Sequence, residues 1–212
     1  GKAYDNTNHQ PGANALGSNY VSMADGIYVA YGQYCLRLDP ATGRTLAKFP
    51  LPVTPGKREF VKWGSLTIEE DVLIAMVGPL IFNEDQIGLN NWNATASRQL
   101  IAVDRYSGKI LWRRTAEYGF RHNAVAAGNG KVFCIDRLAE SVLDLLKRRG
   151  ITDTSAAKLL ALDLHTGKVL WKAGDAFGTW LGYAADRDVL LQSGRPSRDM
   201  LTDEPRGRMI AY

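Results

Sequence analysis

The sequence contains too few cysteines and histidines for several common kinds of functional site. Its 212 residues include two cysteines, Cys35 and Cys134, and three histidines. Neither cysteine belongs to a CxxC, CxxCH or vicinal pair, so nothing supports a thiolate metal site or a covalently attached haem. Each lies in a short apolar run, and we expect both to be buried free thiols.

Long apolar runs and clusters of like charge are also missing. No stretch approaches the roughly 18–20 apolar residues of a membrane-spanning helix, so we expect no membrane span. The formal net charge is +4, but the basic residues are scattered. The tight run Lys147–Arg149 falls where a helix is expected to end, which is typical of a solvated helix terminus. We therefore predict no nucleic-acid partner.

The first residues of the chain differ in composition from the rest. Residues 1–17 are polar and rich in Asn and Gly, and they include a proline. Such a composition disfavours a strand, so we interpret this segment as an N-terminal extension. No secretory signal is visible in it.

What the chain does contain is an internal repeat. The segment AVDRYSGKILW at residues 102–112 returns as ALDLHTGKVLW at residues 161–171. A weaker copy, RLDPATGRTLAKF, covers residues 37–49, and an incomplete one begins with RMIAY at residues 208–212. Aligned on their glycines, the first three copies are 65 and 59 residues apart. A repeat of this kind indicates an array of one supersecondary unit.

Each copy is predicted to form a β-hairpin around the turn Asp-x-x-Thr/Ser-Gly. Apolar residues alternate on both sides. The Asp and the Thr or Ser can accept hydrogen bonds from turn amides, and the Gly takes the positive-φ position. Trp112 and Trp171, which follow the turn, are expected to be buried between neighbouring sheets. Ala47 occupies this place in the first copy, so the contact is missing there or supplied from elsewhere.

A second strand pair precedes each hairpin, with the turns ADG, EED, GNG and DRD. Each full unit therefore has four antiparallel strands. Such sheets, repeated at a period near 50 residues, are the signature of β-propeller blades. We predict an all-β fold, a partial β-propeller with three full blades and an incomplete fourth that lacks its last strand. The predicted blades cover residues 18–50, 62–115, 121–173 and 179–212.

The two strong copies closely resemble the repeat of the quinoprotein alcohol dehydrogenase-like β-propellers, the PQQ-repeat superfamily. Its pattern is Ala-x-Asp-x-x-Thr/Ser-Gly-Lys-x-x-Trp, and the resemblance covers residues 18–212. The superfamily holds quinone-dependent dehydrogenases and also non-catalytic members, such as the propeller lipoprotein of outer-membrane protein assembly. The resemblance implies a bacterial protein that is periplasmic or secreted. It also implies a segment of a ring of seven or eight blades; a four-bladed ring and association with other chains are the alternatives.

Three insertions fall at the same position, between the second and third strands of a unit. They cover residues 79–98, 137–157 and 195–206. One face of the propeller is therefore elaborated, and loops on a rigid scaffold commonly carry binding sites. The second insertion contains an apolar stripe at helical spacing, which predicts one short helix near residues 138–149 that ends at Gly150.

A candidate ligand site is predicted where the links between blades reach the mouth of the central channel. Aligning the units places Trp63, His122 and Trp180 in register, with Arg121 beside His122. Two indoles, an imidazole and a cation near one axis could bind a small planar or anionic ligand by stacking and charge. Trp92, in the inserted NNWN loop, is a further stacking candidate. The alternative is that the tryptophans pack between blades and the cations are solvated.

Two functional classes follow. The first is a non-catalytic binding or scaffold module, which the resemblance places in the cell envelope and whose partner is another protein or the remaining blades of its own propeller. The alternative, implied by the resemblance, is part of a PQQ-dependent alcohol or sugar dehydrogenase that would use PQQ with Ca²⁺. Calcium-dependent members of the superfamily use a Glu/Asn/Asp cluster and often a vicinal disulfide, and that disulfide is impossible here. The acidic segment FNEDQ at residues 82–86 is expected to be a solvated loop. We therefore assign no catalytic residue, metal ligand or cofactor to this chain.

Overall fold

The computed structural model shows, in the residues that it describes, an array of antiparallel β-sheets with almost no helix. It describes residues 19–51, 62–80, 96–138, 146–151, 157–174, 176–177, 180–193 and 209–212. The strands are β1 (Tyr20–Met23), β2 (Gly26–Tyr31), β3 (Tyr34–Leu38), β4 (Thr45–Pro50), β5 (Trp63–Glu69), β6 (Val72–Leu80), β7 (Ala96–Asp104), β8 (Ile110–Gly128), β9 (Lys131–Asp136), β10 (Lys158–Asp163), β11 (Val169–Ala173), β12 (Trp180–Ala184), β13 (Val189–Ser193) and β14 (Met209–Ala211). The predicted all-β, partial propeller fold is confirmed.

The first and last sheets match the predicted first and fourth units. Strands β1 to β4 pair in chain order as a four-stranded antiparallel sheet, which we name blade 1. Strands β12 to β14 form a three-stranded sheet, blade 4. The predicted N-terminal extension, residues 1–17, lies outside the described residues.

The two middle units share one continuous seven-stranded sheet, which the sequence did not predict. Its order is β11-β10-β9-β8-β7-β6-β5. Strand β8 pairs with β7 over its first half and mainly with β9 over its second half. Blade 2 is therefore β5 to β7 with the first half of β8, and blade 3 is the second half of β8 with β9 to β11. The link expected at residues 116–120 is part of a strand instead.

The middle of β8 is held by one buried carboxylate. Asp136, at the end of β9, is only 4% exposed. Its two oxygens accept hydrogen bonds from the backbone N–H groups of residues 117–119 at 2.7–2.9 Å. A carboxylate that accepts several backbone donors satisfies groups that would otherwise be left unpaired inside the protein. This contact lets the chain cross from blade 2 to blade 3 without a loop.

The hairpin turns have the predicted structure. Asp104 Oδ1 accepts from the Ser107 hydroxyl at 2.6 Å and from the Ser107 N–H at 2.7 Å. Asp39 and Asp163 make the same contacts with the Thr of their own turns. These hydrogen bonds from the hydroxyl and the amide lower the pKa of each of the three Asp side chains. The turn glycines have φ values of 69°, 73° and 67°, which is the region that favours glycine.

Trp112 joins blade 2 to blade 3, as predicted. Its side chain is 8% exposed, and its indole Nε1 donates to the Leu164 carbonyl at 2.8 Å. The ring lies directly against Gly167, where an added Cβ would meet it at 2.6 Å. Gly167 is therefore required for two reasons: its positive φ, and the space that its missing side chain leaves for the indole.

Phe49 makes the corresponding contact between blades 1 and 2. Its side chain is 6% exposed, and a Cβ at Gly108 would lie 2.4 Å from its ring. Phe49 stands two residues beyond Ala47 on β4, so it points to the same side of the strand. The contact that Ala47 cannot make is thus supplied from elsewhere on the same strand.

The predicted burial of Trp171 is wrong. Its side chain is 36% exposed, against 8% for Trp112. Its indole contacts the rings of Tyr212 and Phe133, with centroids 6.1 and 6.0 Å away. The reason is that an indole at this position is covered by the turn of the following blade. Among the described residues, no turn glycine lies against the Trp171 ring in the way that Gly167 lies against Trp112.

Among the described residues, the apolar core forms three clusters, one at each junction of blades. Cys35 lies in the cluster between blades 1 and 2, and Cys134 in the cluster between blades 2 and 3. Both are buried free thiols, as predicted. Burial raises the pKa of each thiol to about 12, so both thiols are protonated and unreactive at neutral pH.

The described part of the second insertion agrees with the predicted helix end. Residues 146–148 are helical. Gly150 has φ 76°, its N–H donates to Lys147, and the Ile151 N–H donates to Leu146, as in a Schellman C-cap. Residues 139–145 lie outside the described residues. So do residues 81–95 of the first insertion, while its two ends belong to β6 and β7.

Candidate functional site

The inner strands of blades 2, 3 and 4 carry the candidate site residues that the structure describes. These strands are β5, the second half of β8, and β12, and they carry Trp63, Arg121, His122 and Trp180. Trp92 lies outside the described residues.

Trp63 is placed between blades 1 and 2. Its side chain is 7% exposed and belongs to the apolar cluster of that junction. Its indole donates to the Gln33 carbonyl at 3.2 Å, and its backbone N–H donates to Gly32 at 2.8 Å. Both partners lie in the tight turn between β2 and β3. Trp63 therefore connects two blades, which agrees with the packing alternative.

The expected register between Trp63 and Trp180 is disturbed by a β-bulge. The pairing of β5 with β6 shifts between Trp63 and Leu66, whereas β12 pairs with β13 without a shift. A slip of one residue turns a side chain to the opposite face of a strand. The two tryptophans accordingly lie in different surroundings, one buried and one 38% exposed.

Arg121 and His122 are neighbours on β8 and are both almost fully buried, at 2% and 4% exposure. The His122 Nε2 lies 2.7 Å from the Ser97 Oγ of β7. Burial lowers the pKa of His122 to about 3, and the Arg121 cation acts in the same direction. The imidazole is therefore neutral at pH 7 and contributes no charge to ligand binding.

His122 and Trp180 line one shared cavity of about 260 Å³, which we name the inner cavity. Ser65 and Thr67 also line it, and its other described lining residues are apolar. The Trp180 indole is folded over Gly182 of its own strand, where an added Cβ would meet the ring at 2.4 Å. Of the four described candidates, the structure brings His122 and Trp180 together in this cavity. Trp63 and Arg121 are not among its lining residues.

The Ser97–His122 pair does not form a catalytic dyad. The Ser97 side chain is fully buried, so a substrate cannot reach its hydroxyl. A general base works best with a pKa near the operating pH, and the pKa of His122 is far below it. The contact is a buried hydrogen bond that ties β7 to β8.

The cavity also does not fit an anionic quinone held with Ca²⁺. Its described lining residues include no cationic side chain and no carboxylate, although Ca²⁺ is bound through several oxygen ligands, carboxylates above all. Among the residues that the structure describes, no group of three His, Cys, Asp or Glu side chains is placed to hold a metal ion. What the cavity offers is an indole face, two hydroxyls and a neutral imidazole.

A larger cleft, which the sequence did not indicate, lies between the outer strands of blades 2 and 3. Its volume is about 490 Å³. It is lined by Arg114, Thr115, Glu117, Asp136, Lys158, Leu160, Val169, Leu170, Trp171 and Lys172. Apolar residues in a strand are expected to be covered by the adjacent blade, so the pattern of β11 alone could not reveal that its side chains border an open cleft.

Comparison with known proteins gives a match to one family model and to several solved propellers. The family model described as "Outer membrane protein assembly factor BamB" matches residues 32–179. The quinohemoprotein alcohol dehydrogenase of Comamonas testosteroni is 16% identical, with a TM-score of 0.51, over 82% of this chain and 31% of that one. The Dos1 propeller is 15% identical, with a TM-score of 0.50, over 82% and 41%.

The crystal structure of BamB from Moraxella catarrhalis also matches, at 14% identity and a TM-score of 0.44, over 79% of this chain and 39% of that one. The chain thus spans less than half the length of these solved structures. At such identities the solved structures support the fold alone. No curated protein sequence gives a significant match.

Proposed function

Because this chain belongs to the PQQ-repeat family described as outer membrane protein assembly factor BamB, we propose that it is a non-catalytic propeller segment that binds or scaffolds proteins in the cell envelope. The observation that carries the proposal is the family match over residues 32–179. Protein binding and an envelope location are properties that the family's description suggests. Among the described residues, no helix is long and apolar enough to cross a membrane.

The lining of the inner cavity supports a non-catalytic role. A ligand site needs an enclosed pocket that buries most of the ligand and a few convergent polar groups. Two of the predicted site residues, Trp63 and Arg121, are buried elsewhere, and the other two share a small cavity whose described lining has no charged group. Such a cavity offers little to hold an anionic cofactor.

The second candidate function is that of a segment of a quinone-dependent dehydrogenase. It is favoured by one observation, the partly exposed Trp180 indole that lines the inner cavity with His122, because a planar ring could stack on it. The chain spans only 31% of the Comamonas testosteroni dehydrogenase. A complete quinone site of that kind would therefore also need residues from outside this chain.

Calorimetric titration of the chain with PQQ, with and without Ca²⁺, separates the two functions. We expect any affinity to be weaker than about 100 μM, since the described lining of the inner cavity has no charged group to hold an anionic ligand. Micromolar binding that is lost in Trp180→Ala and kept in Trp171→Ala would contradict the scaffold function and favour the dehydrogenase. Trp171 is a matched control because it is similarly exposed but does not line the inner cavity.

A further inference from the structure

We propose that the cleft between blades 2 and 3 is a docking site for an extended, acidic segment of a partner protein. The proposal rests on the proposed scaffold function and specifies a surface and the chemistry of its partner. The cleft is bordered by the middle of β8 on one side and by β10 and β11 on the other. At about 490 Å³, it can accept several side chains of a peptide.

The apolar part of the cleft is uncovered. Leu160 forms its buried floor at 4% exposure, while Val169 and Leu170 are 42% and 51% exposed. The residue of blade 2 that corresponds to Val169 is Ile110, two residues after the turn glycine. Ile110 is packed against the core cluster between blades 1 and 2. The same position is thus covered at one junction and open at the next, which leaves apolar surface available for a partner.

The charges around this apolar surface are unbalanced. Both carboxylates of the cleft are already engaged, since Glu117 pairs with Lys158 and Asp136 accepts three backbone N–H groups. Arg114 and Lys172 have no carboxylate partner among the described residues. Two free cations beside an apolar surface are complementary to a segment in which an apolar side chain is flanked by carboxylates.

The backbone of β11 provides the remaining recognition element. Strand β11 is the edge of the seven-stranded sheet, so one row of its N–H and C=O groups has no strand partner among the described strands. An added strand can pair with such an edge through main-chain hydrogen bonds. Residues 169–172 of β11 all line the cleft. An extended peptide could therefore pair with β11 while its side chains reach the apolar floor and the two cations.

The test uses the pentapeptide acetyl-Glu-Glu-Leu-Glu-Glu-amide, titrated into the chain at low salt and followed by calorimetry. We expect binding that weakens with added salt, because exposed charges are screened. Lys172→Glu should weaken it about fivefold to tenfold, the loss expected for reversing one partly exposed charge. Lys109→Glu is the matched control, since Lys109 is exposed on a hairpin turn and does not line the cleft. The peptide acetyl-Lys-Lys-Leu-Lys-Lys-amide should not bind.

Three results would overturn the proposal: no binding of the acidic peptide, equal binding of the basic peptide, or equal weakening by the two charge reversals. Leu170→Ser should also weaken binding, and an unchanged affinity in that variant would contradict the apolar contact. These outcomes are separate from the test of the proposed function. Micromolar quinone binding would contradict the scaffold function whatever the peptide does. If the chain binds neither quinone nor peptide, the result contradicts the proposed docking site and leaves the scaffold function standing.

Discussion

At the scale of single residues, the most consequential group is the buried His122. Its pKa is about 3 in the folded protein, against an ordinary value of 6.5. The unfolded chain therefore takes up a proton at a higher pH than the folded chain does. Stability that is fully present above pH 6.5 is lost progressively as the pH falls towards 3. Between pH 7 and pH 5 the loss should be about 2 kcal/mol, since one pKa unit corresponds to roughly 1.4 kcal/mol.

Urea unfolding of the chain and of His122→Gln at pH 5, 6 and 7 checks this prediction. Glutamine is neutral throughout this range and keeps a polar group near the Ser97 hydroxyl. The variant should therefore lack most of the change in the free energy of unfolding between pH 7 and pH 5. The turn carboxylates have lowered pKa values and titrate below this window. An equal pH dependence in both proteins would show that His122 is not the group responsible.

The two repeat tryptophans should differ in their contribution to stability. Trp112 is buried and hydrogen-bonded to the Leu164 carbonyl, so Trp112→Ala should cost about 3–5 kcal/mol, as large core truncations do. Trp171 is 36% exposed, and Trp171→Ala should cost less than about 2 kcal/mol. Denaturant unfolding of the two variants measures the difference. Equal costs would mean that the burial of these indoles does not decide their contribution.

At the scale of the structural element, the hairpin turn allows a comparison within one molecule. Gly43, Gly108 and Gly167 occupy the same turn position with φ values of 69°, 73° and 67°. A Cβ at Gly43 meets nothing within 4 Å, whereas at Gly108 and Gly167 it would meet an aromatic ring at 2.4 and 2.6 Å. All three Gly→Ala variants carry the strain of the left-handed backbone, roughly 1–2 kcal/mol.

The variants at Gly108 and Gly167 should lose a further 1–3 kcal/mol or so, because overpacking displaces the ring. Thermal or urea unfolding of the three alanine variants gives the comparison directly, with Gly43→Ala as the control for backbone strain. If all three variants lose the same stability, the docking of an aromatic ring on the turn glycine contributes nothing beyond the backbone conformation.

The hairpins were predictable because their determinants are local. The Asp, the Thr or Ser and the Gly of each turn act within five residues, and the alternating apolar residues on both sides define two strands. Phe49 was not predictable, because it replaces Trp at a position two residues further along the strand. The continuity of β8 was also not predictable from the sequence, because it depends on Asp136. This residue lies 17–19 positions later in the chain and accepts hydrogen bonds from the backbone N–H groups of residues 117–119.

The candidate site was only partly predictable for a related reason. Alignment of the repeat units placed Trp63 and Trp180 at equivalent positions of their blades. The bulge in β5 shifts Trp63 by one residue relative to that alignment. Bulges depend on how two strands pair, and a single strand pattern does not encode them. His122 and Trp180 do share a cavity. The neutral state of His122 follows from its nearly complete burial, which the sequence alone does not reveal.

At the scale of the whole molecule, the junctions between blades differ in kind. Blades 2 and 3 share a sheet, whereas blades 1 and 2 lie in separate sheets and are joined by the hydrogen bond from the Trp63 N–H to Gly32 and by side-chain contacts. The guanidinium of Arg105, which is 7% exposed, donates to Asp25 at 2.5 Å and to Asp71 at 3.3 Å. The ion pair between blades 3 and 4, Lys131 with Asp188, is more exposed. Breaking a buried pair by removing one partner is strongly destabilising, while an exposed pair contributes little.

This difference predicts the order in which the blades open, as measured by native-state amide hydrogen exchange. The amides of β6 to β10 should exchange together and slowest, because they belong to one continuous sheet. Blade 4 should exchange first, since its described sheet has three strands against four in blade 1 and its ion pair with blade 3 is exposed. Arg105→Gln should speed exchange in β2 and β3 of blade 1 while leaving β9 and β10 unchanged. Uniform exchange across all the sheets, or an equal effect of Arg105→Gln on β10, would instead indicate a single cooperative unit in which the junctions are equivalent.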